Sequence, residues 1–356
     1  MADGRRPAVL YVSTHHAREW ISTEVNRRLL RWYIDQWRAN NTSIKNLLKT
    51  TELWFVLVHN PDGYQYTFDA ERLWRKNLRD NDGDELITSN DGVDPNRNYA
   101  EHWNYDDEGS NTQFSSETYR GPSPGSEPET QALVGLMERV PFKFSISYHS
   151  FGQLLLYTQG WQVQTPSADD PIYVALTGTD DNPAVVDFNP GVGADLYTTN
   201  GEYTDFAHGT MGALAWTPEL SEGCVGCGFV FPDNEALIQA EFQKNLDFAV
   251  RVARSAPDPD DPVSHAGIDT KEFYLDVADI DPWKSNNPAS DLDVDISYGG
   301  GAAQPVEVLA KRSLGAVTLN HRISGGAAQT AATGEAPDGE RFGEQRLRRL
   351  LPLPAR

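Results

Sequence analysis

His16-Ala17-Arg18-Glu19-Trp20 follows an apolar run, Val9 to Val12, and places an imidazole and a carboxylate three residues apart. When the His ends a strand and the Glu lies in the first turn of the next helix, the two can converge on one metal ion. A catalytic zinc takes three protein ligands and keeps a fourth position open for water. His149 is a candidate third ligand. It closes the run Phe142-Lys143-Phe144-Ser145-Ile146-Ser147-Tyr148, in which Phe142, Phe144, Ile146 and Tyr148 fall on one strand face and polar residues on the other. By itself H-x-x-E is a weak signal, and a histidine at a strand end is more often a satisfied core or surface residue. His15 is the nearest rival, but only His16 has the three-residue spacing to Glu19.

These side chains need rigid elements behind them. Val9 to Ser13 reads as a buried strand, and Trp20 to Ala39 as a helix in which Ile21, Val25, Leu29, Trp32 and Ile34 roughly follow helical spacing. Asn41 to Thr50 reads as a short helix, and Glu52 to His59, apolar at odd and even positions alike, as a parallel strand buried on both faces. The turn Asn60-Pro61-Asp62-Gly63 ends that strand, and Ser126-Glu127-Pro128-Glu129 is a capping box opening a helix to about Arg139. Gln153 to Thr158 and Ala213 to Thr217 are further strands, and Asp233 to Arg254 a last long helix. Alternating strands and helices predict an α/β fold with a mixed, mostly parallel sheet flanked by helices. A Pro/Asp linker spans residues 255–263, after which the period changes to two, at Leu292, Val294, Ile296 and Tyr298 and again at Val317, Leu319 and Ile323. This predicts a small antiparallel, sandwich-like β domain over residues 264–343.

With 356 residues and 39% hydrophobic content the chain can build one large domain and a small one. Its 52 acidic against 30 basic residues give a charge of −22, which argues against nucleic-acid or anionic-membrane partners and is expected of a halophilic source. No apolar run is long enough to span a membrane, and residues 1–6 lack the apolar core of a signal peptide. Cys224 and Cys227 suit a small loop disulfide or two free thiols better than a zinc ribbon, which needs a second pair. Asp80-Asn81-Asp82-Gly83-Asp84-Glu85 invites a calcium reading, but its Gly falls at the wrong place for an EF-hand, so a solvated acidic loop is expected.

Four further stretches occur in order: Glu71-Arg72-Leu73-Trp74-Arg75-Lys76-Asn77, Asp94-Pro95-Asn96-Arg97-Asn98-Tyr99, Asp195-Leu196-Tyr197 with Thr204-Asp205-Phe206, and Thr217-Pro218-Glu219-Leu220. With His16-Ala17-Arg18-Glu19-Trp20 and His149-Ser150 they resemble the signature set of the zinc metallocarboxypeptidases that include carboxypeptidases A, B and T, over about residues 7 to 254. The resemblance implies a carboxypeptidase-like catalytic domain over residues 1–254 and an extracellular exopeptidase acting on peptide and protein C-termini, which with the acidic composition is expected to be a haloarchaeal-type member. It implies that His16, Glu19 and His149 hold one Zn²⁺ and that Glu219 moves protons as general base and acid. Arg75 would stabilise the oxyanion, while Asn96 and Arg97 would bind the terminal carboxylate. Tyr197 would close over the bound residue and Arg18 would contact substrate further from its end. Alone, Arg75 and Arg97 read as surface partners of the many acids, Tyr197 as a packed loop aromatic and Glu219 as solvated.

Thr204 would sit at the pocket floor, where members preferring basic residues place an acid. Asp195 and Glu202 lie close enough in sequence to attract Lys or Arg, so a broad, carboxypeptidase T-like preference is expected. The competing readings are an amidohydrolase of the same fold acting on cell-wall or modified peptides, and an inactive peptide-binding relative. The chain departs from the family at Phe151, where tyrosine is common, and at Pro218 before the catalytic Glu. The family's domain begins well before its first zinc ligand, so the resemblance implies an N-terminally incomplete domain and an uncovered edge beside Glu52 to His59. Residues 344–356 form an atypical tail, acid-free from Gln345 on and rich in Arg, Leu and Pro, expected of an altered terminus or reading frame.

Overall fold

The computed structural model describes residues 6–163, 167, 169–222 and 234–265, with residue 327 and six strands beyond them. In chain order come β1 (Ala8–Ser13), α1 (Trp20–Arg38), α2 (Thr42–Thr50), β2 (Glu52–Val56), α3 (Pro61–Asp69), α4 (Pro128–Arg139), β3 (Phe142–Tyr148) and β4 (Leu154–Tyr157). Then follow α5 (Asp170–Thr177), the two-residue strands β5 (Gly178–Thr179) and β6 (Asn182–Pro183), β7 (Asn189–Val192), α6 (Tyr203–Asp205), β8 (Leu214–Glu219) and α7 (Glu235–Ser255). The main sheet has the order β2-β1-β3-β8-β4-β7. From β2 to β8 neighbours are parallel; β4 runs antiparallel to β8 and parallel to β7. The mixed, mostly parallel sheet predicted from the sequence is the one observed.

Helices cover both faces. In α1 the four-residue spacing of Ile21, Val25, Leu29 and Tyr33 gives one apolar stripe that packs on Val9, Tyr11 and Phe144, where α7 adds Phe242, Phe248 and Val252. Burying each of these large side chains is worth roughly 1.5–3 kcal/mol. On the other face Leu133 and Met137 of α4 pack with Leu10, Val12, Phe206 and Ala215. Asn caps mark three helix starts: Asn41 accepts from Ser43 N at 3.0 Å, Asn60 from Gly63 N at 3.1 Å and Asn234 from Ala236 N at 2.9 Å, each contributing about 1 kcal/mol.

Several local expectations differ from the structure. Ile34 is exposed and Tyr33 takes its place in the core, because the buried stripe keeps the four-residue step from Leu29. Ser126 forms no capping box: Glu127 is the N-cap and its side chain makes no cap bond, the Ser126 hydroxyl donating to the Glu127 carboxylate instead. Phe142 belongs to the opposite core from Phe144, Ile146 and Tyr148, since the β1–β3 register shifts at Ala8/Val9. The strand at Glu52 is not buried on both faces. It is the edge of the main sheet, and Leu53 to Val58 are only half-buried.

Beyond residue 265, β9 (Phe273–Asp276), β10 (Ala303–Lys311), β11 (Thr318–His321), β12 (Gln329–Ala332), β13 (Gly334–Glu335) and β14 (Glu344–Pro352) pair antiparallel, in a sheet of order β13-β14-β10-β9 and the ribbon β11-β12. The basic tail thus supplies β14, paired along β10. The alternating stretch at Leu292 to Tyr298, and Cys224 with Cys227, lie outside the described residues.

Beneath α1, Tyr11 donates to Ala249 O at 2.8 Å, and burial pushes the phenols of Tyr11, Tyr33 and Tyr148 upward. Above about pH 10 the unfolded chain releases phenol protons that the folded chain keeps, so stability falls as pH rises. Denaturant titrations between about pH 9 and 11 should show that fall. Tyr148→Phe should flatten it by up to about 1.4 kcal/mol per pH unit; an unchanged slope would mean that Tyr148 does not contribute.

Candidate active site

β1 ends in a kink. Thr14 has φ of 64°, a left-handed conformation that a β-branched residue rarely adopts. It is held by Ser22 Oγ, which accepts from Thr14 N at 3.2 Å, and by hydroxyl contacts to Thr23 and Leu57 O. The turn delivers His16, and Glu19 then serves as N-cap of α1 without capping it, its carboxylate being used elsewhere. His149 leaves the end of β3 and is locked to β8: its N–H donates to Pro218 O at 3.0 Å, and Leu220 N–H donates to His149 O at 2.9 Å. That bridge sets Glu219 directly opposite His149.

The three proposed ligands meet. His16 Nδ1 lies 2.7 Å from Glu19 Oε1, His149 Nδ1 lies 3.0 Å from Glu19 Oε2, and the two Nδ1 atoms are 3.1 Å apart. All three side chains are almost fully buried. Two imidazole nitrogens and a carboxylate aimed at one point crowd three electron-pair donors together, and a cation answers that arrangement. Ligand atoms on a tetrahedral zinc with bonds near 2.05 Å are about 3.3 Å apart, so the donor set fits one zinc. Burial pushes the Glu19 carboxyl up, but the two rings outweigh it and hold it well below the usual carboxylate range.

A residue to which the sequence reading gave no role ties this cluster to the rest of the site. Asp94 is fully buried; its Oδ1 lies 3.2 Å from His16 Nε2 and accepts from Asn96 N at 2.8 Å. Its Oδ2 accepts from Arg75 Nη2 and Nε at 2.8 and 3.1 Å. Burial would raise the Asp94 carboxyl, yet Arg75 and then His16 hold it well below its ordinary value. Asp94 was visible as the opening residue of the Asp94-Pro95-Asn96-Arg97 motif, an acid before Pro at a helix start, but that signal implies a cap rather than a link to a metal ligand. Ser147 was also missed, because alternation classed it as merely polar; it lies 3.1 Å from His149 Nε2.

One cleft gathers His16, His149, Glu219, Asn96, Arg97 and Tyr197, and Glu202 and Thr204 also line it. Arg97 is buried, its Nε donating to Gly109 O at 3.0 Å and its Nη1 to Asn96 O at 2.7 Å. Asn96 Oδ1 accepts from Tyr203 N at 2.9 Å, which leaves its NH₂ for a ligand. Gly201, at φ of 67°, lets this segment close on the 196–204 loop, since a Cβ there would lie 2.6 Å from Arg97 O. Tyr197 is 54% exposed, on the loop over the cleft. Burial, and next the Glu19 charge, push the Glu219 carboxyl well above its ordinary value. Arg18 does not line the cleft; it donates to Leu73 O at 3.1 Å and pairs with Glu117 at 2.9 Å.

The pocket acid is Glu202. Its Oε1 accepts from Thr204 Oγ1 at 2.5 Å, and a side chain at Gly160 would collide with it. Asp195, the other acid named from the sequence, is exposed and not among the cleft residues. Asp80, Asp82 and Asp84 form the other acidic group among the described residues with metal-ligand spacing. That loop is tied internally, Asp80 accepting from Gly83 N at 2.6 Å and Glu85 N at 2.9 Å.

The fold and this donor set define a metallopeptidase-type α/β protein with a candidate zinc site. Its sequence matches the zinc carboxypeptidase family over residues 1–246, and the chain belongs to that family. It is 33% identical over 248 residues to a metallocarboxypeptidase A-like protein of Trichophyton verrucosum and 32% identical over 244 residues to carboxypeptidase A4 of Mus musculus. Each match covers 67% of this chain and 56% of the relative, so the chain spans just over half the length of these relatives. Bovine thrombin-activatable fibrinolysis inhibitor, solved in complex with a tick carboxypeptidase inhibitor, is similar in structure, with a TM-score of 0.58 at 26% identity over 71% of this chain and 83% of that one. Among the described residues no helix is long and apolar enough to cross a membrane.

Asp94→Asn should weaken zinc retention and activity by about tenfold to a hundredfold. Dialysis against a graded chelator, followed by metal analysis, measures the first; retention equal to that of the native chain would show that Asp94 does not support the site.

Proposed function

We propose that the chain removes single amino acids from the C-termini of peptides by zinc-dependent hydrolysis, outside the cell. The observation that carries this reading is that His16 and His149, clustered with Glu19, line one cleft with the buried Arg97 and Asn96. His16, Glu19 and His149 would hold a zinc ion, which would supply Lewis acidity and make a water easier to deprotonate. Arg97 and Asn96 hold the terminal carboxylate, Arg97 being suited to a planar two-pronged acceptor. This anchor places the last peptide bond, and no other, beside the metal ligands. Glu219 takes the proton of the attacking water and later hands it to the leaving amine. Arg75, held by Asp94, presents fixed positive charge where the oxyanion develops. Tyr197 closes over the bound residue, and Arg18 meets substrate further from its end.

The Thr204 hydroxyl is engaged by Glu202, so besides Glu219 the cleft offers a second carboxylate, in a lining that also includes Leu156, Leu196 and Thr217. That supports broad release of both apolar and basic residues. Terminal Leu, Phe, Lys and Arg should be released with kcat/KM values within about a hundredfold of one another, the span of one or two pocket contacts. Glu202→Gln should lower Lys and Arg release about tenfold and spare Leu and Phe; equal losses on all four would remove Glu202 from specificity.

Mass analysis of peptide digests tests the central reading. Stepwise C-terminal shortening should stop with a chelator, return with zinc, and fall by about a hundredfold or more in Glu219→Gln. Cleavage only within peptides, or binding without cleavage, would overturn it.

A further inference from the structure

Behind His149 lies a buried file of polar side chains that the hydrolytic reading does not use. His149 Nε2 is 3.1 Å from Ser147 Oγ, and Ser147 Oγ is 3.2 Å from His15 Nδ1. His15 Nε2 is 3.0 Å from the Tyr99 hydroxyl, which lies 3.4 Å from His59 Nε2. Ser147, His15 and Tyr99 are fully buried, so these groups have one another rather than solvent. β1 and β3 bring them together: Val12 pairs with Ser147 and Ser13 with Tyr148, so the chain leaving β1 carries His15 past the end of β3.

We propose that Ser147 and His15 are positioning residues that fix His149 as a metal ligand by setting which of its nitrogens carries the proton. His149 turns Nδ1 towards Glu19 and His16. A metal at Nδ1 leaves the N–H on Nε2, and that N–H needs a buried acceptor. Ser147 Oγ is that acceptor. Its own proton then has one taker within reach, His15 Nδ1, which places the His15 proton on Nε2, donated to the Tyr99 oxygen; the Tyr99 hydroxyl in turn donates to His59. Reversing one member of the file sets two protons against each other in a site without water to relieve them. Consistency along the file therefore favours the tautomer of His149 that offers Nδ1 to the metal. It also explains why His15, which lies beside His16, bonds Ser147 and Tyr99 instead of joining the ligand cluster.

This inference rests on the zinc reading above, and the experiment separates the two. Zinc affinity is measured by chelator competition on the full chain for Ser147→Ala, His15→Leu, their double variant and His15→Asn. Ser147→Ala, which removes one oxygen and preserves the fold's volume, should weaken zinc about tenfold to a hundredfold. His15→Leu should lose part of that, and the double variant no more than Ser147→Ala alone, because both act through one bond. His15→Asn, which keeps an acceptor near the Nδ1 position, should recover most of the loss. Nitrogen-15 spectra of the zinc-loaded native chain should show His15 protonated on Nε2. Zinc retained within about twofold in Ser147→Ala, additive losses in the double variant, or His15 protonated on Nδ1 would each overturn the inference. A native chain that takes up no zinc would overturn the proposed function and the inference with it.

Discussion

Everything in the site hangs on how Asp94 is satisfied. A carboxylate with no solvent exposure is tolerable only when its oxygens are bonded and its charge is met. Here one oxygen serves His16 and the backbone of Asn96, and the other serves Arg75. His16, the backbone at Asn96 and the Arg75 guanidinium are thus referred to one buried side chain. The arrangement is rigid because each partner, if displaced, would strand a charge in the interior, at a cost of several kcal/mol.

The sheet explains why these groups can meet. β1, β3 and β8 are parallel and release their chain at the same end of the sheet, where His16, His149 and Glu219 emerge. The strand order reverses between β1 and β3, since β2 lies on one side of β1 and β3 on the other, and such switch points in open α/β sheets leave a crevice at the strand ends that takes ligands. The 196–204 loop covers that crevice and adds Tyr197, Glu202 and Thr204. Backbone ties from Tyr99 N to Gly201 O and from Ala17 N to Arg75 O at 2.9 Å bind the flanking loops to the strand ends. The site is therefore made of strand termini braced by loops.

Electrostatics act on two scales. The chain carries −22 overall, yet the buried Arg97 lines the cleft. Surface charge is screened beyond a Debye length of about 8–10 Å, so an anion inside the cleft would respond to Arg97 rather than to the distant surface acids. Glu202 and Glu219 are the local exceptions, and Glu202 sets its charge beside Thr204.

The zinc spacing, the alternation of strands with helices and the order of the motifs were legible in the chain, because metal ligation, helical spacing and buried parallel strands each demand residue types at short, local intervals. His16 and Glu19 could be named for that reason, and His149 from its place at a strand end and in the ordered motifs. What sequence could not supply were partners decided by tertiary packing: Asp94 under His16, Ser147 and His15 behind His149, Glu202 rather than Asp195 in the pocket, and Arg18 turned to Glu117. Each depends on which strand lies beside which and how a loop folds back over it. The edge position of β2 has the same origin, since an apolar run reads alike whether a neighbour covers it or not. Residue chemistry therefore determined the reaction this protein is equipped for; the parallel register of β1, β3 and β8 decided which side chains surround it, because that register sets distances between residues more than a hundred positions apart.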